Sequence, residues 1–369
     1  MKNTENSSLK YDAPFVLLFG GVGCEREVSQ RGAYNVLALA EKAGVPCLPV
    51  GIDREGYWYL YRGEAENVRS GFWALDKERL APVYIRKGCG TYLFGADFMI
   101  AVKGFLPLLH GDFGEDGIVQ GALEAAGLPF VGSRTLGGAL ATDKAACKML
   151  AEAAGIPTLP YVLYVGGGSA YRGGKLALSE RAALEGAAAL GFPVFIKPSG
   201  LGSSIGAGVA RNEGEFYRRL AEAEEIGDGR VLIEAYLPER RELECAYFES
   251  RDGILITPPG EAVCNKEFYD FHEKYESGEV RLHSRAEISD EVGDRLIEYT
   301  KILAPLLGLR HMGRVDFFLT DEGEIYFNEV NPIPGLTESS LYLRMLNHAG
   351  VSSEEFIYSI ERWLREAAV

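Results

Sequence analysis

Four polar side chains in one segment, residues 313–331, are spaced so that they would meet on one face of a folded chain. β-Branched and aromatic residues flank a polar turn there, which predicts a β-hairpin. Symmetric pairing about the turn places Asp316 opposite Glu329. It also places Arg314 opposite Asn331, and side chains two residues apart share one face of a strand. Two carboxylates and an amide oxygen are hard ligands of the kind that Mg²⁺ takes. The alternative is a solvated polar face, and a one-residue slip in register would scatter the four groups.

A lysine followed by a loop rich in glycine and serine is the second pattern that predicts chemistry. An apolar strand over 194–197 ends at Lys197, and Ser203 and Ser204 lie in the loop that follows. Glycine lets backbone N–H groups converge on an anion, and serine hydroxyls add donors. The lysine precedes the glycines, so the pattern differs from the GxxxxGK[ST] phosphate loop. We expect this segment to bind phosphate, the alternative being a flexible surface turn.

Alternating strands and helices predict how these segments are positioned. An apolar run at 14–19, a helical pattern and a second strand near 46–52 are typical of an open doubly wound α/β sheet. We therefore expect one α/β domain over 1–133. The pattern changes after it, which predicts a central domain over 134–236 and a C-terminal domain over 237–369. A chain of 369 residues is long enough for two or three domains.

Helical patterns occupy four further places, one of them an Ala-rich stretch at 177–190. One covers 135–155 and includes Lys144, which on helical spacing alone would be a solvated surface residue. Another lies around 289–307. A last helix begins at a predicted capping box formed by Ser352 and Glu355.

Two loops of the first domain leave the ends of predicted strands, where open α/β sheets bind ligands. Gly20, Gly21 and Gly23 lack the third glycine of a dinucleotide fingerprint. Glu25 follows them, and an acidic residue there would repel a pyrophosphate but suits a substrate ammonium group. His110 follows another apolar strand among acidic neighbours, where a structural and a functional loop are both consistent with the sequence.

Charge and cysteine content limit the classes of partner. A net charge of −15 argues against a broad nucleic-acid surface, which needs clustered lysine and arginine. The six cysteines form no CxxC pair, as expected of reduced thiols. No run approaches the roughly 20 apolar residues of a membrane span, and the polar N-terminal segment lacks the apolar centre of a signal peptide. We therefore expect a cytoplasmic protein with neither nucleic acid nor membrane as a partner.

In chain order, these motifs resemble those of the D-alanine–D-alanine ligase family, within the ATP-grasp superfamily, across nearly the whole sequence. The matching motifs lie at 20–29, 110–117, 143–144, 197–206, 269–275, 313–316 and 328–337. Each motif alone is moderate evidence, but seven in the family's order leave little room for coincidence. The resemblance implies an α/β protein with a three-domain ATP-grasp fold. Its N-terminal domain would be doubly wound, with ATP bound between the central and C-terminal domains.

The resemblance also implies a role for each matching residue. The implied magnesium ligands are Asp316, Glu329 and Asn331. The implied nucleotide contacts are Lys144, Lys197, Ser204, Glu234, Leu237, Glu242 and Lys274. The residues implied in catalysis are Glu25, Ser203, Tyr275, Arg314 and Gly335. The implied substrate contacts are His110, Ser340 and Leu341.

A family member of this kind would join two D-alanine molecules through an acyl phosphate, for peptidoglycan precursor synthesis. ATP and two Mg²⁺ ions would be required, with Mn²⁺ as an alternative ion, and the resemblance implies a homodimer. Ala235 stands where many relatives carry a lysine beside the adenine, Pro332 replaces a small hydroxyl residue, and Phe271 lies in a tyrosine-rich motif. None of these departures removes a metal or phosphate ligand, so we expect activity.

Three other functions remain open on the sequence. A D-alanine–D-serine or D-alanine–D-lactate ligase of the vancomycin-resistance type shares nearly every motif. Tyr275 argues against lactate, because depsipeptide ligases usually have histidine there, and the apolar Leu341 argues against D-serine. A non-catalytic nucleotide-binding protein would have lost Arg314, a metal ligand or a phosphate lysine, and all are present. A NAD-dependent oxidoreductase is disfavoured by the incomplete glycine fingerprint.

Overall fold

The computed structural model describes residues 13–166, 172–173, 176–202, 204–263 and 281–367. Among these residues the strands form three sheets, which span 15–107, 161–235 and 241–331 in turn. The domain bounds inferred from the sequence remain a prediction.

The first sheet positions two ligand-binding loops at one edge. Its strands are β1 (Phe15–Gly20), β2 (Cys47–Ile52), β3 (Trp58–Tyr61), β4 (Leu80–Tyr84), β5 (Tyr92–Gly95), β6 (Met99–Ala101) and β7 (Phe105–Pro107). Its helices are α1 (Arg26–Lys42), α2 (Ala65–Ser70) and α3 (Ile118–Ala126). The strand order is β6-β5-β4-β3-β2-β1-β7, with β1 parallel to both β2 and β7. Because the carboxyl ends of β1 and β7 lie side by side, the loops after them bring Glu25 and His110 to the same edge.

The expected parallel strands are confirmed: β1 is buried along its whole length and pairs in parallel with β2 and β7. The strands over 58–101 were not assigned from the sequence, and they extend the sheet through antiparallel pairs. They are three to five residues long and mixed in burial, so they carry little periodic signal.

The second sheet carries the segment around Lys197. Its strands are β8 (Tyr161–Val165), β9 (Arg172–Gly173), β10 (Leu176–Ala177), β11 (Val194–Pro198), β12 (Gly208–Ala210) and β13 (Arg230–Ala235). The helices that precede and cover it are α4 (Thr135–Thr142), α5 (Lys144–Ala153), α6 (Glu180–Leu190) and α7 (Glu213–Ile226). The order is β12-β11-β13-β8-β10-β9, so β11 pairs with β13 and brings Lys197 near Glu234.

The single helical region expected over 135–155 is wrong in one respect. Asp143 has an extended backbone, with φ −80° and ψ 96°, and it separates α4 from α5. Its side chain accepts hydrogen bonds from two backbone N–H groups in the first turn of α5, which makes it an N-cap. Helical periodicity does not reveal this break, because the apolar positions continue on both sides.

The third sheet contains the hairpin. Its strands are β14 (Arg241–Ser250), β15 (Gly253–Ile256), β16 (Gly260–Val263), β17 (Arg281–His283), β18 (Met312–Leu319) and β19 (Ile325–Asn331). The helices of this part are α8 (Asp290–Leu306), α9 (Leu341–His348) and α10 (Ser353–Glu366). The order is β17-β16-β14-β18-β19, with β15 paired to β14. The predicted cap of the last helix is confirmed, since Ser352 Oγ accepts the Glu355 N–H at 3.1 Å.

The last two helices pack against the helix and strands at the start of the chain. Ile360 and Phe356 of α10 belong to the same buried core as Val36 of α1, and burial of each such side chain contributes roughly 1.5–3 kcal/mol. The Trp363 indole N–H donates to the Glu249 carbonyl at 3.0 Å. The C-terminal helices therefore join the first and third sheets, which holds the loop that carries Glu25 near the hairpin.

Within the described residues, no helix is long and apolar enough to cross a membrane. Among the same residues, Cys24, Cys47, Cys89, Cys147 and Cys245 form no disulfide bonds.

Candidate active site

The hairpin brings its carboxylates together as predicted, but through a β-bulge. Asp316 pairs with Glu329, whereas Phe317 pairs with Phe327, so Asn328 is an extra residue between the two pairs. The symmetric pairing assumed from the sequence is therefore wrong near the turn. In the register set by the turn, Asp316 would lie opposite Asn328. The bulge corrects this by one residue and directs the consecutive side chains of Asn328 and Glu329 to the same cavity.

Three carboxylates form a row across the sheet, with an arginine among them. Glu244 pairs with Asp316, which pairs with Glu329 on the other side. Arg314 donates from Nε and Nη2 to the two Asp316 carboxylate oxygens at 2.7 Å each, and its Nε lies 3.3 Å from Glu244 Oε2. Burial by itself lowers the pKa of Arg314, but Asp316 and Glu244 outweigh burial and raise that pKa well above its usual value. Arg314 is therefore a fixed positive charge.

Two carboxylates of this row, Asp316 and Glu329, together with the amide oxygen of Asn331, are oxygen donors of the kind that a hard cation takes. A carboxylate offers about four acceptor positions. Asp316 uses two for Arg314 and one for the Asn331 side-chain N–H at 3.0 Å, which leaves about one for a metal. In the part of the chain that the structure describes, no group of three or more His, Cys, Asp or Glu side chains could hold a metal ion. The predicted set contains only two such side chains, Asp316 and Glu329, and completes its ligands with the amide of Asn331.

A buried trio of charges joins α5 to strands β11 and β13. Glu234 is 2% exposed, and its two carboxylate oxygens lie 2.6 Å from Lys148 Nζ and 2.7 Å from Lys197 Nζ. Burial raises the pKa of Glu234, but the two lysines outweigh burial and lower the pKa to about 2. Lys197 also reaches Asn328 Oδ1 at 3.4 Å, which links the loop strand to the hairpin. Residue type and spacing alone do not single out Lys148, which lies one turn after Lys144 on the same helical face.

The N-terminus of α5 fixes a second cavity lysine. Asp143 accepts the Ser199 hydroxyl at 2.8 Å and pairs with Arg230, so the helix cap is tied to the second sheet. Lys144, the first residue of the helix, donates to the Leu201 carbonyl at 2.6 Å. It is 8% exposed, so the solvated position suggested by helical spacing is wrong.

An arginine not selected from the sequence organises the far end of this cavity. Arg240 donates to the Leu237 carbonyl at 2.8 Å and to Glu242 Oε1 at 3.1 Å. Its guanidinium lies 5.0 Å from the centre of the Phe318 ring, a cation–π contact. Arg240 therefore orients two of the residues that the family resemblance implies as nucleotide contacts.

The loops of the first domain place an acid and an imidazole in the adjoining cavity. Glu25 is buried between two glycines: a Cβ added at Gly111 would lie 2.6 Å from its Oε2, and one at Gly202 would lie 3.1 Å away. His110 Nδ1 lies 3.6 Å from Glu115 Oε1, and within the described residues its buried Nε2 has no hydrogen-bond partner. Burial lowers the pKa of His110, but Glu115 and Glu25 outweigh it and raise that pKa.

The opposite side of that cavity is formed by the start of α9. Ser340, its N-cap, accepts the Thr337 N–H at 3.0 Å, and a Cβ added at Gly335 would lie 3.0 Å from the same hydroxyl. Leu341 is buried, and Leu282 and Ile333 line the cavity with it. This part of the cavity combines the hydroxyls of Thr337, Ser339 and Ser340 with an apolar wall.

Two adjoining cavities collect all the predicted site residues that the structure describes. The first is lined by Lys144, Lys197, Ser204, Glu234, Leu237, Glu242 and Glu329. The second is lined by Glu25, His110, Lys144, Glu242, Arg314, Asp316, Glu329, Asn331, Gly335, Ser340 and Leu341. The remaining predictions, Ser203, Lys274 and Tyr275, lie outside the described residues.

Comparisons with known proteins all point to the same family. The model for the D-Ala D-Ala ligase N-terminus matches residues 14–133, and the model for the C-terminus matches 150–361. A D-alanine–D-alanine ligase of Caldicellulosiruptor bescii is 33% identical over 350 residues, 92% of each chain. That of Deinococcus radiodurans is 35% identical over 353 residues, 93% of this chain and 95% of its own.

The fold agrees with the sequence comparisons. The crystal structure of the VanG D-Ala:D-Ser ligase from Enterococcus faecalis superposes with a TM-score of 0.83 at 32% identity, covering 97% of this chain and all of its own. The three sheets thus form the ATP-grasp architecture that the sequence motifs implied. By its sequence and by its fold, the chain belongs to the D-alanine–D-alanine ligase family.

Proposed function

We propose that this ATP-dependent ligase joins two D-alanine molecules into D-alanyl-D-alanine, with release of ADP and phosphate, for peptidoglycan precursor synthesis. One observation carries the proposal: the lysine-rich cavity and the cavity with Glu25 and Arg314 adjoin, and Glu329 lines both. Nucleotide phosphates in the first would lie beside an amino acid in the second. The proposal includes a cytoplasmic homodimer, as the family resemblance implies.

The first step activates a carboxylate, which is a poor electrophile. Glu25 would bind the ammonium of the first D-alanine, so that its carboxylate points toward the nucleotide. Lys144 and Lys197 would bind the phosphates and offset their charge during transfer. The carboxylate oxygen attacks the γ-phosphorus, the bond to the β-phosphate oxygen breaks, and D-alanyl phosphate and ADP result.

The metal site would hold two Mg²⁺ ions, or Mn²⁺ as an alternative, through Asp316, Glu329 and Asn331. Their positive charge would offset the negative charge on the transferring phosphoryl group. The roles of Ser203 and Tyr275 in closing a lid, and of Lys274 on the phosphates, remain predictions from the resemblance. A closed lid would exclude the water that hydrolyses an acyl phosphate.

The second step forms the peptide bond. The amine of a second D-alanine, held near Ser340 and Leu341, attacks the acyl carbon and loses a proton, and phosphate leaves with its bridging oxygen. Negative charge develops on the carbonyl oxygen before phosphate departs. Arg314 has five N–H donors and gives two to Asp316, so others remain for that oxyanion, as does the backbone at Gly335.

A D-alanine–D-serine ligase is the second candidate, because the VanG structure is so similar. The apolar wall of Leu282, Ile333 and Leu341 argues for D-alanine. A hydroxymethyl group directed at that wall, and away from the hydroxyls of Thr337, Ser339 and Ser340, would lose hydrogen bonds to water without gaining a protein partner. A D-lactate ligase is less well supported, as the sequence indicated. A non-catalytic role lacks support, since the described lysines, metal ligands and Arg314 are all retained.

Substrate competition tests the proposal. With ATP, Mg²⁺ and equal concentrations of D-alanine, D-serine and D-lactate, we expect D-alanyl-D-alanine to be the main product. It should exceed D-alanyl-D-serine roughly ten- to a hundredfold, the discrimination an apolar pocket achieves against an added hydroxyl. Mass spectrometry of the products measures the ratio. A majority of D-alanyl-D-serine would favour the second candidate. Absence of any condensed product would overturn the assignment as a ligase.

A further inference from the structure

Lys148 lines neither cavity, but it forms an ion pair with Glu234. The same carboxylate also pairs with Lys197, which lines the first cavity. We propose that Lys148 is a positioning residue: it neutralises Glu234 so that the positive charge of Lys197 stays available to nucleotide phosphates. The inference rests on the proposed function, since it assigns a nucleotide to the cavity that Lys197 lines.

Lys148 and Lys197 differ in their access to the cavity. Lys148 is fully buried, and it does not line either cavity. Lys197 lines the first cavity, and the two ammonium groups take different oxygens of Glu234. Lys148 also lies 3.4 Å from the Phe327 carbonyl, next to the bulged Asn328. It therefore reaches the nucleotide only through its neighbours.

The net charge of Lys148, Glu234 and Lys197 predicts that loss of Lys148 weakens phosphate binding. With both lysines protonated, the two lysines and one glutamate carry one net positive charge, and Lys197 presents that charge to the cavity. Without Lys148, Glu234 would pair with Lys197 alone, and the pair would be neutral. The interior has a lower effective dielectric constant than water, so this change acts strongly on a nearby phosphate.

Stability does not explain why two lysines share one buried carboxylate. The attraction within a buried ion pair is largely offset by the desolvation of its charges, so apolar replacement is often neutral or stabilising. An arrangement that serves stability alone would balance one carboxylate with one lysine. A second lysine allows the first to keep a net charge.

Nucleotide binding by two variants tests the inference. Calorimetry with ADP and Mg²⁺, without D-alanine, should show that Lys148→Met weakens affinity roughly ten- to a hundredfold, as expected when a charge-assisted contact is lost. The double variant Lys148→Met, Glu234→Gln removes the carboxylate that would neutralise Lys197. Because Glu234 also lines the nucleotide cavity, the double variant should regain only part of the lost affinity and bind ADP more tightly than Lys148→Met does, a coupling that independent sites do not show.

A matched control separates this effect from the loss of a buried lysine. Lys103 forms an ion pair with Glu361 away from both cavities, with its side chain 7% exposed. Lys103→Met should lower the denaturation midpoint and leave ADP affinity unchanged. Wild-type affinity in Lys148→Met, or no recovery in the double variant, would overturn the positioning role. Failure of the wild type to bind ADP would instead overturn the proposed function itself, and this inference with it.

Discussion

Replacement of Glu329 by glutamine is expected to lower the rate of phosphate release at least about a thousandfold, or about 4 kcal/mol of transition-state stabilisation. Glutamine has nearly the same shape but no charge, so it would bind Mg²⁺ weakly. Lys144 Nζ, 3.5 Å from Glu329 Oε2, would also lose a balancing charge. A coupled phosphate-release assay at saturating ATP and D-alanine, repeated over a Mg²⁺ titration, measures the change.

A control substitution in the same hairpin distinguishes loss of the metal site from loss of the fold. Glu322 lies in the exposed turn, and Glu322→Gln should leave turnover unchanged. Thermal unfolding should show both variants folded at the assay temperature. Near-normal turnover in Glu329→Gln would mean that the hairpin does not hold the catalytic metal.

Replacement of Arg314 by lysine is expected to lower kcat about a hundred- to a thousandfold, the usual effect of losing an oxyanion donor. Lysine keeps the charge near Asp316 and Glu244, which limits the loss of stability. It cannot make two parallel bonds to Asp316 and also reach the substrate oxyanion, as the planar guanidinium can.

The division between kcat and KM shows which role Arg314 has. Steady-state kinetics should show a lower kcat with the KM for ATP nearly unchanged, because the interaction forms only in the transition state. Calorimetry with ADP should give an affinity close to that of the wild type. A higher KM for ATP with unchanged kcat would assign Arg314 to nucleotide binding and contradict the oxyanion role.

The hairpin shows how far local sequence patterns reach. Alternating residues around a polar turn were enough to predict that Asp316 faces Glu329. The bulge at Asn328 was not predicted, because the pairing near the turn depends on backbone geometry that residue types leave undetermined. The correct prediction at the site thus depended on two errors that cancel: symmetric pairing at the turn and the absence of a bulge.

Residues that act through partners distant in the sequence were the ones missed. Lys148 and Arg240 matter because of Glu234 and Glu242, and a buried lysine has no local signature that separates it from an exposed one. Glu244 did carry the alternation expected on a strand, but only the pairing of β14 with β18 reveals its contact with Arg314. The family resemblance implied the residues expected to contact the ligands. The structure added the residues that hold them in place.

The central claim is that ATP activates the carboxylate of D-alanine before the peptide bond forms. Turnover with D-alanine labelled with ¹⁸O in both carboxylate oxygens, followed by mass spectrometry of the released phosphate, tests it most directly. Attack of the carboxylate on the γ-phosphorus and later loss of phosphate should leave one ¹⁸O atom in each phosphate released with dipeptide. Dipeptide formed together with unlabelled phosphate would contradict the acyl-phosphate route.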